Sequence, residues 1–294
     1  MPAVHVNGVE IFYQEAGQGF PLILSHEFAG SWESWREQVR YFSRRYRVIV
    51  YNDRGYPPSS VPPEAESYSE EHSVEDLRQL LDALAIEQAH IGGLSMGGSI
   101  TLKFGIAHPE RCRSLIIAGA GSGTTHTDQF RKDTAATATV FAEQGTASVA
   151  EFYTRGPARL QLLQKDPVGW QEFYDLFLQH SAVGSAHTLR QVQSKRKTIY
   201  EVEEQMRAVR VPALIMVGDE DELCLEPGLF MKRTLPNAGL AVLPKSGHGI
   251  NLEEPLLFNQ LVLDFLTRVE QGAWHPRRAV STSMLPSVLP ERKD

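Results

Sequence analysis

The residues with the clearest chemical potential are Gly93-Leu94-Ser95-Met96-Gly97, a Gly-x-Ser-x-Gly run between a short apolar stretch and a helical one. Upstream, Ala89-His90-Ile91-Gly92 has the length and character of a buried strand. Downstream, Ile100, Leu102, Phe104 and Ile106 carry an apolar segment to His108-Pro109. Strand, tight turn and helix, in that order, hold a serine hydroxyl proud of a sheet at a helix N-terminus, the strained arrangement called a nucleophile elbow. Gly97 and Gly98 lack side chains where the helix must leave the strand closely. Glycine-flanked serines also occur in ordinary turns, so the flanking strand and helix patterns select the elbow reading.

A hydroxyl becomes a useful nucleophile only when a base takes its proton and a third group orients that base. With a serine on such an elbow, the acid and then the histidine are expected further along the chain. The apolar run Val211-Pro212-Ala213-Leu214-Ile215-Met216-Val217 empties into Gly218-Asp219-Glu220-Asp221, and a second, Leu240-Ala241-Val242-Leu243, leads to Ser246-Gly247-His248-Gly249. Groups at the carboxyl ends of parallel strands gather on one edge of a sheet. Ser95, an acid near position 221 and His248 are therefore expected to converge. Asp219, Glu220 and Glu222 compete for the acid's place, and otherwise read as a solvated acidic loop.

On these motifs the chain resembles the α/β-hydrolase superfamily, from Val4 to about Trp274, in the branch of serine esterases, C–C hydrolases and cofactor-free haloperoxidases. The resemblance implies that Asp221, fourth in a Gly-x-x-Asp turn, is the acid. The family's other acid site, after the strand holding Leu115 to Ala118, reads Gly119-Ala120-Gly121 here and offers no carboxylate. It also implies that the N–H groups of Met96 and Phe28 stabilise the oxyanion, the latter from the loop after Pro21-Leu22-Ile23-Leu24-Ser25. Related hydrolases carry His-Gly in that loop, whereas this chain reads His26-Glu27-Phe28. Glutamate resists backbone angles that glycine tolerates, and its charge would oppose a developing oxyanion. Glu27 is expected to turn away and pair with a cation such as Arg54; the sharper alternative is that it tunes proton traffic or selects a cationic substrate group.

The elements that must position these residues alternate between strand and helix from Val4 to Ala118, stop, and resume at Val211. The expected architecture is an α/β-hydrolase fold: a mostly parallel sheet of about eight strands with flanking helices and an inserted helical cap. The divisions are a core over 1–121 and 207–274, a helical cap over 122–206, and a flexible tail or one packed on a neighbour over 275–294. In the cap, Trp170, Phe173, Tyr174 and Phe177 recur at helical spacing, as do Leu189 and Val192 after a cap at Ser185. The aromatic stripe, Trp170, Phe173 and Tyr174 in particular, is a candidate for substrate contact, although such stripes are more often plain core. The basic cluster Arg190, Lys195, Arg196 and Lys197 offers attraction to an anionic substrate, but reads first as a solvated face. Elsewhere Ser73-Val74-Glu75-Asp76 resembles a capping-box helix start, Pro255 opens a helix that Gly272 closes, and the Asp53-Arg54-Gly55-Tyr56 turn reads as structural.

Composition fits one globular core with an insertion: 294 residues, 42% hydrophobic and 22% charged. A net charge of −7, without a basic stripe, argues against nucleic acid as a partner. No apolar run reaches membrane-spanning length, and the first residues lack the layout of a secretory signal, which points to the cytoplasm. Cys112 and Cys224 read as free thiols, Cys224 as small apolar filler. The histidines show no metal-ligand spacing, so neither metal nor cofactor is expected. The expected partner is a small-molecule substrate, and the chain a monomer or homodimer. The function expected is serine hydrolysis of a small carboxylic ester, thioester or lactone. C–C cleavage of vinylogous diketones and cofactor-free perhydrolase or haloperoxidase chemistry are alternatives on the same residues. A non-catalytic ligand receptor is the remote one. Epoxide hydrolysis and dehalogenation are disfavoured, because related enzymes carry Asp in place of Ser95.

Overall fold

The computed structural model describes residues 2–276. The proposed tail lies outside the described residues from 277 onward. Eight strands form one sheet: β1 (Ala3–Val6), β2 (Val9–Ala16), β3 (Pro21–Ser25), β4 (Arg47–Tyr51), β5 (Ala89–Leu94), β6 (Cys112–Ala118), β7 (Ala213–Gly218) and β8 (Ala238–Leu243). Their order is β1-β2-β4-β3-β5-β6-β7-β8. The β1–β2 and β2–β4 pairs are antiparallel, and every pair from β4 to β8 is parallel.

The apolar runs follow from burial on both faces, which removes the polar half of the usual strand alternation. Ile23, Ile49, Ile91, Ile117 and Ile215 point into one hydrophobic core, while Leu22, Leu24, Val48, Ile116 and Met216 point into the other. Helices Glu70–Ala83 and Met96–Ala107 cover the first face through Leu77, Leu80 and Ile100. Helices Arg36–Phe42 and Pro255–Glu270 cover the second through Phe42, Phe258 and Phe265. Burying each such side chain stabilises the fold by about 1.5–3 kcal/mol before entropy is counted.

Between β6 and β7 the chain is helical throughout its regular structure, from Thr127–Gln144 to Glu203–Ala208. No helix of the described residues is long and apolar enough to cross a membrane.

Two expected helix starts are corrected. The helix assigned to Ser73 begins a turn earlier, capped by Ser69, whose hydroxyl accepts from the His72 N–H. Ser73 instead donates to Asp53 at 2.9 Å. Likewise Ser181, rather than Ser185, caps helix Ala182–His187, and the Ser185 hydroxyl is buried without a partner. In both cases an earlier serine already had the extended backbone that a cap needs.

Candidate functional site

Ser95 sits between β5 and helix Met96–Ala107 with φ 56° and ψ −109°, a left-handed conformation that a non-glycine residue holds only under strain. Close packing enforces the turn. A Cβ on Gly97 would lie 2.1 Å from the Ser25 carbonyl oxygen, and one on Gly93 would lie 2.3 Å from the Gly97 backbone. The Ser95 N–H donates to Ala118 at 2.8 Å, tying the elbow to β6.

The His248 loop is drawn in by an equally tight contact. A Cβ on Gly218 would meet the Ser246 and Gly247 carbonyl oxygens at 2.1 and 2.2 Å, so the end of β7 can lie directly against that loop. The Glu220 N–H donates to the Ser246 carbonyl at 2.9 Å, and the Ser246 N–H donates to Asp219 at 3.1 Å. Asp219, read as solvated, is thus a loop clamp. His248 Nε2 lies 2.7 Å from Ser95 Oγ, and its Nδ1 lies 2.7 Å from Asp221 Oδ2. With the Nδ1–H donating to the Asp221 carboxylate, Nε2 is left as the acceptor for the serine hydroxyl.

The loop after β3 reaches the same place. The His26 carbonyl accepts the Gly97 N–H at 3.1 Å, stitching this loop to the elbow. Burial lowers the His26 pKa and keeps the ring neutral. Its Nδ1–H donates to the Glu27 carbonyl at 2.7 Å, and Nε2 accepts the Asp53 N–H at 3.0 Å. The Phe28 N–H has no acceptor among the described residues, and the Met96 N–H opens a helix, where no carbonyl one turn back can take it.

Glu27 departs from expectation in two ways. It does not pair with Arg54, whose Nε donates to Asp76 at 2.6 Å. Instead its Oε1 faces Arg159 Nη2 at 3.3 Å, with both side chains fully buried. Nor does it take the left-handed conformation in this loop, which falls on Ala29 with φ 70°. Gly30 leaves the room that the Glu27 carboxylate fills, since a Cβ there would lie 2.4 Å from it.

Ser95, His248, Asp221 and Phe28 line a cavity of about 270 Å³. Its other walls include Phe130, Tyr153, Leu189 and Gln193. None of Trp170, Phe173 and Tyr174 lines it. The Trp170 indole donates to Thr154, the Phe173 ring lies under the Arg159 guanidinium at 4.5 Å, and the Tyr174 hydroxyl donates to Glu151. Helix Pro167–Phe177 directs this stripe into packing within the helical segment, so the plain-core reading is the right one for Trp170 and Phe173.

Several contributors escaped sequence reasoning. Buried Glu253 accepts the Gly247 and Gly249 N–H groups at 2.6 and 3.0 Å, gripping both neighbours of His248. Burial raises its pKa against those bonds and the Arg159 and Lys165 charges. A carboxylate four to six residues after a Gly-His-Gly turn was the available signal. Cys224 is more than filler. Its thiol donates to the Gly119 carbonyl at 3.2 Å and lies 4.0 Å from His248 Nδ1. Asp221, Cys224 and His248 also form a possible ligand group, with donor atoms within 4.8 Å of one another. Burial raises the thiol pKa well above its usual value, and His248 Nδ1 already faces Asp221, so these donors suit hydrogen bonding better than a cation.

A family profile described as alpha/beta hydrolase fold matches residues 21–255. The putative carbamate hydrolase RutD of Azorhizobium caulinodans is 27% identical over 277 residues, which cover 92% of this chain and 100% of that protein. The 2-hydroxymuconate semialdehyde hydrolase of a Pseudomonas species is 28% identical over 272 residues, covering 90% and 93%. Among solved structures, the enol-lactonase from Burkholderia xenovorans matches with a TM-score of 0.79 and 23% identity, covering 90% of this chain and 100% of that one. At that identity the likeness speaks for the fold.

Proposed function

Since the profile match spans most of its length, the chain belongs to the α/β hydrolase fold family, and we propose that it is a serine hydrolase cleaving a small carboxylic ester, thioester or lactone through an acyl-enzyme. The hydrolase names of its relatives support hydrolysis as the reaction type. The observation that carries the finer reading is the unbroken chain from Ser95 Oγ through the His248 ring to Asp221, with both contacts at 2.7 Å.

In this reading Ser95 Oγ attacks the carbonyl carbon while His248 Nε2 takes its proton. Asp221 holds the ring's orientation and offsets the imidazolium charge. The Phe28 and Met96 N–H groups donate to the oxygen on which charge develops, each contributing about a hundredfold or more in rate. His248 then protonates the leaving group, and water repeats the sequence on the acyl-enzyme. The helices between β6 and β7 act as a cap that limits water and shapes the cavity. Glu27, turned out of the cavity, supports the loop that presents Phe28.

A fluorophosphonate probe is expected to label Ser95, and the label is lost in Ser95→Ala. Labelling failure in a folded protein would favour a non-catalytic receptor. Turnover is then measured on p-nitrophenyl esters, lactones, a carbamate and a ring-fission diketone. Inertness toward every ester and lactone, with turnover of the diketone, would overturn the bond class while leaving Ser95 as the nucleophile.

A further inference from the structure

Residues Thr188–Gln193 form a π-helical turn, a rare geometry that recurs at functional sites. It sets Leu189 and Gln193 on the wall of the Ser95 cavity. Gln193 is only 6% exposed, yet its amide has no hydrogen-bond partner among the described residues. The amide is therefore free to bond a group that enters the cavity.

Arg196 follows three residues later. Its Nη2 donates to the Ser122 carbonyl at 2.8 Å, whereas Nη1 is closed off from solvent without a partner. The guanidinium lies 5.7 Å from the Phe130 ring centroid, and no carboxylate pairs with it among the described residues. Glu70, whose field reaches it, is already held by Lys103 at 3.3 Å and by the Ser99 hydroxyl. The basic cluster read as a solvated face thus turns one member inward. Arg196 borders a crevice of about 10 Å³, room for roughly one oxygen atom. Ser122, Phe130 and Gln193 line both this crevice and the Ser95 cavity, so the two adjoin.

We propose that the substrate carries a carboxylate remote from its scissile carbonyl, with one oxygen entering the crevice beside the Arg196 guanidinium and the other accepting from the Gln193 amide. This deepens the hydrolase reading above and rests on it. A water in the crevice would leave the cation without a counter-charge, whereas a carboxylate supplies one. The cavity's own carboxylates oppose this weakly. Glu222 is exposed and screened by solvent, Glu220 is engaged by Lys245 and Gln161, and Asp221 by His248.

The test uses the full chain and two matched pairs followed by proton release: monomethyl adipate against methyl hexanoate, and 4-acetoxybutyrate against butyl acetate. In at least one pair the carboxylate ester is expected to show at least tenfold higher kcat/KM, mainly through KM. Arg196→Met is expected to lower that ratio at least tenfold, and Gln193→Leu to lower it several-fold should the arginine variant fail to fold. Equal kcat/KM within both pairs, or ratios unchanged in the folded variants, would overturn the proposal and leave only water in the crevice. If none of the four esters is turned over, the bond class is decided separately by the panel and the fluorophosphonate label described above. Calorimetry with adipate then decides the carboxylate site: binding to the wild type that is lost in Arg196→Met upholds it, and absence of binding overturns it.

Discussion

Arg159→Met is expected to destabilise the protein by about 3–5 kcal/mol, because removing one partner of a buried ion pair leaves the other charged and uncompensated. Glu27 and Arg159 are each 0% exposed. Glu27 Oε1 has only Arg159 at 3.3 Å and the Ser34 hydroxyl at 3.4 Å, and Oε2 has no partner. After the substitution the carboxylate would keep one long hydroxyl contact. With an unfolding entropy of about 2.1 cal/mol/K per residue over 294 residues, the loss corresponds to a Tm lower by roughly 5–8 °C. Urea denaturation and thermal melts measure it, and salt is expected to change the difference little, because the pair is shielded from screening ions. Glu27→Gln combined with Arg159→Met should recover most of the loss, since a neutral pair carries no stranded charge. Activity should also fall, through kcat and by up to about a hundredfold, because the guanidinium packs beside Gly249 and acts on Glu253, which grips the His248 loop. A single-variant loss below about 1 kcal/mol, or a double variant no more stable than the single, would refute this account of the buried pair.

Ser95→Ala is expected to reduce kcat/KM by roughly four to six orders of magnitude with little change in Tm, and a residual rate above one per cent would speak against serine attack. Gly97→Ala should cost at least about a hundredfold in kcat or prevent folding, because its Cβ would collide with the Ser25 carbonyl and push the Phe28 loop away; wild-type kinetics would contradict the packing. Glu27→Gly is expected to leave the shape of the pH profile of kcat/KM unchanged while lowering stability; a displaced profile would revive a role in proton traffic. Burial lowers the His90 pKa to about 4, against Glu270. The unfolded chain therefore binds this proton first, and stability present above pH 6.5 is lost as pH falls toward 4, by on the order of 3 kcal/mol. Urea midpoints at pH 7 and 4.5 should differ less in His90→Asn than in the wild type; equal pH dependence would count against the assignment.

Periodicity made the regular elements legible because burial on both faces leaves a local mark: the runs holding Ile23, Ile49, Ile91, Ile117 and Ile215 all became central strands. Helix starts were less legible. Ser69 and Ser73, like Ser181 and Ser185, carry the same side chain one turn apart, and only backbone conformation separates a cap from an interior residue. Among the candidate site residues, those tied to a strand end or glycine turn were named from local spacing, and the structure brings Ser95, Asp221 and His248 together. Those defined by packing were not. Glu27 and Arg159 are 132 positions apart, and nothing near either names the other. The Trp170 stripe announced an apolar face without saying what it would cover.

The sequence by itself determined which groups could react and where along the chain the sheet would deliver them, because a glycine-flanked serine and the ends of apolar runs are short-range features. The tertiary structure alone decided which wall faces Ser95, which cation neutralises Glu27, and that Arg196 turns inward without a counter-charge. Those outcomes depend on how helices from a separate stretch dock on the sheet edge, and docking is settled by summed packing and desolvation across distant residues.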